Sequence, residues 1–242
     1  MDGHLKVLLL QIREEQHVIE EERESFVKYA GLHHAQLDAH NVFENPEFGP
    51  EILEGYDALF VGGASTASVL HPEIYTFVPS CIELLKHCAD IGFPTFASCF
   101  GFQLGVLALG GQIVRDEKAE ELGSLPMTLL PAAADDKLFH DTPDGFLAVT
   151  VHQESALNLP EGCELLVKTD KCCHAFKVHD KPFWAFQFHP EVDKAILVQR
   201  LGVYKDKYTG GEEAYQAHVK TFKEVPHSTA LVRKFVERVL LD

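Results

Sequence analysis

Residues 96–105 read FASCFGFQLG, and this stretch decides how the rest of the chain is interpreted. The apolar run PTFASC ends at Cys99, and a helix-like segment follows until the glycine pair Gly110 and Gly111. A free cysteine is most often a small buried residue. At a sharp turn between a strand and a helix, however, the positive end of the helix dipole favours its thiolate. Cys99 is therefore either a core residue or a nucleophile, and its neighbours must decide.

The residues on either side of Cys99 are small, as a turn from strand to nucleophile to helix requires. In the pattern GxSxG such a turn has glycine two positions before and two positions after the nucleophile. Gly101 occupies the second of these positions, but Ala97 replaces the first glycine. The turn remains possible, with one extra methyl group at a crowded place.

Apolar runs of strand length alternate with helix-like segments through the first half of the chain. The runs are KVLLLQI (6–12), DALFVGG (57–63) and PTFASC (94–99), and the helix-like segments lie around 15–30, 73–91 and 100–109. Runs that are apolar throughout suit strands covered on both faces. They predict a parallel sheet between layers of helices.

The second half changes to short apolar runs at close spacing, which predict antiparallel strands added to the same sheet. These runs are GSLPMTLLP, GFLAVTVHQ, CELLVKT, CHAFKVH and KPFWAFQFH. After residue 191, DKAILVQRLGVY and STALVRKFVERVLL carry apolar residues three and four apart and should pack on the sheet. We therefore predict a single α/β domain over residues 1–242. It has an open, mostly parallel sheet with helices on both faces, antiparallel strand additions and a C-terminal helical cap.

The composition limits the partners and the compartment. The 37 acidic and 21 basic residues give a formal net charge of -16, which argues against nucleic acid and anionic membrane surfaces as partners. The six cysteines lack the spacing of a disulfide framework. The first apolar run is too short for a signal peptide, and no run reaches the ~18 apolar residues of a membrane helix. We expect a cytoplasmic protein with reduced thiols.

Two further stretches contain groups that a cysteine nucleophile would use. FVGGAST (60–66) places Gly62 and Gly63 directly after an apolar strand, where backbone N–H groups can point into a crevice. A glycine pair after a strand is more often only a turn. WAFQFHPEVD (184–193) places His189 and Glu191 after another strand. An imidazole with a carboxylate on its far nitrogen is the pair that a general base requires.

The blocks SCFGFQLGVLALGG (98–111) and AFQFHPEV (185–192) together resemble the class I, triad-type glutamine amidotransferases and their stand-alone relatives, including gamma-glutamyl peptidases. The resemblance covers roughly residues 55–192 and implies the flavodoxin-like fold of that family. It implies Cys99 as the nucleophile, His189 as the base and acid, and Glu191 as the group that orients the imidazole.

The same resemblance implies roles for residues around the nucleophile. The backbone N–H groups of Gly63 and Phe100 would form the oxyanion hole. The substrate would be contacted by a set drawn from three stretches, namely Gly62, Gln103, His152, Gln153 and Glu154. The chain departs from the family at Ala97, at Ala64 in place of a proline that many members have, and at Glu154 in place of an aspartate.

The implied reaction is attack by the Cys99 thiolate on the γ-carboxamide of glutamine or of a γ-glutamyl compound, followed by hydrolysis of the thioester. It needs no cofactor. The sequence has no GxxxxGK[ST] phosphate loop, so an ammonia-accepting synthetase would be a separate partner. Two alternatives stay open. One is a free-standing gamma-glutamyl peptidase or hydrolase, and the other is a catalytically idle regulatory or interaction module with the same fold.

A zinc site is a weaker hypothesis for Cys172, Cys173 and His174, with His179 nearby. Adjacent cysteines seldom bind one ion, and the chain has no CxxC pair. Ordinary strand residues are favoured, and the sequence predicts no metal site.

Overall fold

The strand that ends next to Cys99 lies in the middle of an eight-stranded sheet in the computed structural model, which describes residues 4–242. The strands are β1 (Val7–Ile12), β2 (Leu37–Asn41), β3 (Ala58–Ala64), β4 (Thr95–Ser98), β5 (Val114–Arg115), β6 (Glu121–Pro126), β7 (Thr128–Leu129), β8 (Leu147–His152), β9 (Glu154–Ser155), β10 (Cys163–Lys168), β11 (Cys173–Val178) and β12 (Phe183–Phe186). The helices are α1 (Gln16–Ala30), α2 (Val78–Ile91), α3 (Phe100–Ala108), α4 (Lys194–Val203), α5 (Lys205–Tyr208), α6 (Glu212–Val219) and α7 (Pro226–Phe235).

The central sheet is mostly parallel, which confirms the predicted fold class. Its strand order is β2-β1-β3-β4-β12-β11-β10-β7. The first five of these strands are parallel, and the last three are added as antiparallel neighbours. Because β3, β4 and β12 are adjacent and parallel, the residues that follow them meet at one edge of the sheet.

Helices cover both faces of this sheet. On one face, Phe26 of α1 and Phe235 of α7 pack against Phe60 of the sheet, with ring centroids 5.4 and 5.9 Å from that ring. On the other face, apolar side chains of α2 and α3 share a second core with Val61 and Ala97. The segment STALVRKFVERVLL therefore packs on the sheet as predicted.

The ribbon formed by β6 and β8 is a correction to the predicted topology. GFLAVTVHQ and the first part of GSLPMTLLP do not join the central sheet, because they pair with each other as a separate two-stranded sheet. Ala148 is buried in the core of the central sheet, whereas Val149 packs in a separate cluster with Leu197, Leu201 and Phe222. Both faces of β8 are thus covered. Its apolar pattern indicates burial but not which strand it pairs with.

Three other boundaries differ from the predictions. DKAILVQRLGVY forms α4, which packs on the ribbon and not on the central sheet. The helix predicted from residue 73 begins only at Val78, where Pro79 lies in its first turn. β2 was not predicted, because this edge strand reads LDAHN and is buried only at its two ends. None of the helices within residues 4–242 is both long and apolar enough to cross a membrane.

Candidate active site

Cys99 occupies a strained turn between β4 and α3. Its backbone has φ 51° and ψ -98°, and it is one of the few non-glycine residues with positive φ in the described chain. Such a conformation costs about 1–3 kcal/mol and persists only where the surrounding structure enforces it. The Cys99 N–H donates to the carbonyl oxygen of Phe186 at 2.6 Å, which ties the turn to β12. The turn holds the thiol at the carboxyl end of the parallel strands.

Gly101 makes room for the methyl group of Ala97. A Cβ atom at Gly101 would lie 2.9 Å from Cγ1 of Val61 and 3.1 Å from Cβ of Ala97. Ala97 itself is completely buried in β4, in register with Val61 and Ala185. The turn therefore accommodates an alanine before the nucleophile because the residue after it has no side chain.

We expect Gly101→Ala to destabilise the protein by about 1–3 kcal/mol, because the new methyl group overpacks a filled core. The change is measured as a lower urea midpoint with an unchanged slope. Gly105→Ala is the matched control within α3, since a Cβ atom there meets its nearest neighbour, Phe176, at an ordinary 3.5 Å. The control should be neutral or more stable by up to about 1 kcal/mol. Equal urea midpoints for Gly101→Ala and the unsubstituted protein would contradict this account of the turn.

His189 and Glu191 form a buried hydrogen-bonded pair just after β12. Nδ1 of His189 lies 2.7 Å from Oε1 of Glu191, and the Glu191 side chain is fully buried. An ionised carboxylate can only accept, so Nδ1 carries the proton of this hydrogen bond. This tautomer leaves Nε2 of His189 to exchange a proton with a nucleophile.

Gly63, Cys99 and His189 meet at the sheet edge, although they follow three different strands. A Cβ atom at Gly63 would lie 2.8 Å from Cε1 of His189 and 3.5 Å from Cβ of Cys99. The thiol of Cys99 interacts with the His189 imidazole. Phe100 opens α3, and the first N–H groups of a helix have no acceptor within it. The arrangement brings together a thiol, an imidazole and backbone donors.

The charges of this pair support each other. Burial opposes a charged imidazole, but the Cys99 thiolate and the Glu191 carboxylate outweigh it and raise the pKa of His189 to about 9. Burial likewise opposes a charged Glu191. His189, together with Arg200 whose Nη1 lies 3.7 Å from Oε1, lowers the pKa of Glu191 to about 2. The imidazolium and the carboxylate are therefore both charged at neutral pH.

Gly62 faces a different set of side chains from Gly63. A Cβ atom at Gly62 would lie 2.7 Å from Oε1 of Glu22. Glu22 accepts from Nε of Arg13 at 2.9 Å, and Nη1 of Arg13 donates to Oγ of Ser65 at 2.8 Å. The backbone turn after β3 thus rests on a buried ion pair. The substrate contact predicted for Gly62 stays a prediction.

A cleft of about 250 Å³ opens beside Cys99. Its walls include Cys99, Phe100, Gln103, His152, Gln153 and Glu154, and they also include Arg115, Lys207 and Tyr208. Nε2 of Gln103 donates to the carbonyl oxygen of Glu154 at 2.9 Å, and Nη2 of Arg115 donates to Oε1 of Gln153 at 3.0 Å. These contacts hold the strand after the ribbon against α3.

The sequence did not predict that Arg115, Lys207, Tyr208 or Arg200 would reach the site. Lys207 and Tyr208 belong to α5, and both donate to the carbonyl oxygen of Ser65, at 2.7 and 2.9 Å. Nothing in the local sequence of these residues distinguishes them from other surface residues. They reach the cleft because the C-terminal segment folds back over the ribbon.

Comparison with known proteins gives related families for the fold and for the sequence. A profile of the class-I glutamine amidotransferases matches residues 30–196. The glutamine-hydrolysing component of the GMP synthase of Methanocaldococcus jannaschii is 38% identical over 116 residues, which is 46% of this chain and 60% of that protein. Gamma-glutamyl peptidase 4 of Arabidopsis thaliana is 24% identical over 217 residues, which is 88% of this chain and 83% of that protein.

The solved structure of a glutamine amidotransferase from Thermotoga maritima has the same fold. It superposes with a TM-score of 0.79 at 20% identity and covers 99% of this chain and 100% of its own. The match to the GMP synthases is shorter, since the alignment spans only 20% of the synthase of Gloeobacter violaceus. The profile match over most of the sequence, and over both site motifs, shows that the chain belongs to the class-I glutamine amidotransferase family.

Proposed function

We propose that this chain hydrolyses the γ-amide of glutamine or of a γ-glutamyl compound. Cys99 would be the nucleophile and His189 the general base and acid, with Glu191 as the positioning residue behind the imidazole. The observation that carries the proposal is the convergence of Cys99 and His189 on Gly63, with the 2.7 Å hydrogen bond between His189 and Glu191 behind them. A thiol, an imidazole and a carboxylate in this order form the set that activates a cysteine.

In the proposed reaction, the Cys99 thiolate attacks the γ-carbonyl carbon, and a tetrahedral oxyanion forms. The N–H groups of Gly63 and Phe100 donate to that oxyanion. The imidazolium of His189 gives its proton to the leaving nitrogen, and the C–N bond breaks to leave a γ-glutamyl thioester. The now neutral imidazole takes a proton from water, whose oxygen attacks the thioester and releases glutamate.

The cleft favours a substrate with an anionic group near the nucleophile. Arg115 and Lys207 line it, in a chain whose formal net charge is -16. Local positive charge inside an otherwise acidic surface is what an α-carboxylate requires. Glu154, whose Oε1 accepts from Oγ of Ser68 at 2.5 Å, offers a partner for the α-ammonium group of the same substrate.

A free-standing gamma-glutamyl peptidase or hydrolase is the second candidate. The Arabidopsis peptidase aligns with 88% of this chain, whereas the Methanocaldococcus protein aligns with 46%. Residues beyond the family match, Lys207 and Tyr208 among them, line the cleft. These two observations favour a cleft completed by the chain's own C-terminal segment. In the first candidate, ammonia would pass to a separate synthetase partner.

The compartment that we propose is the cytoplasm. All six cysteines lie within the described residues and are free thiols. Reduced thiols are typical of a compartment kept reducing.

Glutamate release from glutamine and from γ-glutamyl dipeptides tests the proposal, with ammonia measured alongside and each substrate assayed with and without cell lysate. Turnover of dipeptides by the chain alone supports the peptidase, and glutamine turnover that requires lysate supports a partner-dependent amidotransferase. Absence of turnover of every substrate in both conditions would contradict both.

A further inference from the structure

A second group of metal-binding side chains lies next to the cleft and takes no part in the proposed reaction. It consists of Glu121, His152, Cys172 and His174, which come from β6, β8, the residue before β11, and β11 itself. One ligand atom from each residue lies within 4.8 Å of all the others. All four residues are buried, and the side chains of His152 and His174 are 1% and 0% exposed.

The atoms of this cluster are spaced like the corners of a small tetrahedron. Oε2 of Glu121 lies 3.1 Å from Nε2 of His152 and 3.7 Å from Sγ of Cys172. Sγ of Cys172 lies 3.5 Å from Nε2 of His174. Zinc bonds of about 2.0–2.3 Å in tetrahedral geometry separate neighbouring ligand atoms by roughly 3.2–3.7 Å. Only the Glu121 to His174 distance, 2.6 Å, is shorter, and a small rotation of the carboxylate lengthens it.

The two imidazoles are oriented toward the centre of the cluster. Both Nε2 atoms point at the same carboxylate oxygen of Glu121, and the Nδ1 atoms of His152 and His174 are buried without a hydrogen-bond partner among the described residues. The polar contacts of both rings are therefore on their Nε2 side. Convergence of two imidazoles, a thiol and a carboxylate on one point is how proteins bind a divalent transition metal.

The charges of the four groups suit a buried Zn²⁺ ion. A thiolate from Cys172 and a carboxylate from Glu121 cancel its two positive charges, and the two imidazoles bind as neutral ligands. A neutral assembly avoids the large cost of an unpaired charge in the protein interior. The thiol proton of Cys172 leaves to solvent on binding, as is usual for cysteine ligands.

We propose that Glu121, His152, Cys172 and His174 form a closed structural site for Zn²⁺. The four protein ligands leave no open coordination position, which separates this site from a catalytic zinc centre. The ion would link the ribbon to β11 of the central sheet. His152 immediately precedes Gln153 and Glu154, so the ion would also fix the strand that lines the cleft.

This site differs from the zinc hypothesis that the sequence suggests, and from its prediction of no metal. Cys173 and His179 do not belong to the four-residue group, and Sγ of Cys173 donates to the carbonyl oxygen of Leu157 at 3.5 Å. The missing ligands come from two strands roughly 20 or more residues earlier in the chain. Their pairing with β11 is a tertiary property that local spacing does not reveal.

Metal content of the purified full chain tests the proposal. After loading with zinc and dialysis, the unsubstituted protein and Cys173→Ser should each retain about one zinc per chain, and Cys172→Ser should lose at least nine tenths of it. Cys173 is the matched control, because it is the adjacent buried cysteine. Cys99→Ser should retain the metal, which separates this site from zinc bound by Cys99 and His189. Equal retention by Cys172→Ser and Cys173→Ser would overturn the assignment.

Cobalt substitution keeps the proposal testable if Cys172→Ser does not fold. Co²⁺ bound by the unsubstituted protein should show the absorption of a tetrahedral ion together with a thiolate-to-cobalt charge-transfer band. Cys99→Ser should give the same spectrum. A folded protein that binds no Co²⁺ or Zn²⁺, or a charge-transfer band that disappears in Cys99→Ser, would overturn the proposal.

Discussion

Cys99→Ala is expected to lower kcat/KM for γ-amide hydrolysis by about 10⁴-fold or more, because it removes the atom that forms the thioester. In enzymes with a covalent intermediate, loss of the nucleophile costs about 10⁶ in kcat. The thiol is held by a strained turn beside His189, so no other group within reach can replace it. The measurement is steady-state hydrolysis of whichever substrate gives the highest rate.

The matched control for Cys99→Ala is Cys163→Ser. Cys163 is a half-buried free thiol in β10, and it does not line the cleft. Its substitution should change kcat/KM by less than about twofold, since surface changes away from special features seldom exceed about 0.5 kcal/mol. A folded Cys99→Ala protein that keeps more than a tenth of the activity would contradict the assignment of the nucleophile.

Glu191→Gln is expected to lower kcat by about 10²–10⁴-fold and to move the alkaline limb of the pH profile to lower pH. The amide keeps the size of the side chain but removes the negative charge and the tautomer that it selects. The thiolate of Cys99 and the carboxylate of Glu191 raise the pKa of His189 to about 9 against the effect of burial. Without the carboxylate the imidazolium loses its proton earlier, so it fails earlier to protonate the leaving nitrogen.

The same pKa shift predicts how stability depends on pH. The folded-state pKa of His189, about 9, lies above its ordinary value of 6.5. Its contribution to stability is therefore complete below about pH 6.5 and is lost as the pH rises through 9. Urea midpoints of the unsubstituted protein should fall between pH 7 and 9, and Glu191→Gln should reduce that slope. Glu212→Gln, at an exposed position, is the control with an unchanged slope. Identical pH profiles for Glu191→Gln and the unsubstituted protein would contradict the role of the carboxylate.

The sequence predicts the fold class and the edge where the site lies, because parallel strands bring their carboxyl ends together. FVGG, FASC and FQFH each follow or end a buried run, and this order of local signals is enough to bring Gly63, Cys99 and His189 together. The role of Ala97 needed the structure. The space for its methyl group depends on Val61, which lies on a neighbouring strand.

Features that depend on pairing or on distant packing could not be predicted from the sequence. The ribbon has the same apolar pattern as a strand of the central sheet, so pattern alone assigns it to the wrong sheet. Arg200 and Lys207 reach the site from the C-terminal segment, and Glu121 meets His174 only because β6, β8 and β11 come together. Each of these contacts joins residues that are far apart in the chain and have no distinctive neighbours.

Labelling with an electrophilic glutamine analogue tests the central claim most directly, because the analogue binds covalently to the nucleophile that forms the thioester. The labelled chain is digested, and the modified residue is identified by mass spectrometry. The account predicts one adduct per chain, located on Cys99, suppressed by excess substrate and absent from Cys99→Ala. An adduct on another cysteine, or a folded protein that forms no adduct, would contradict it.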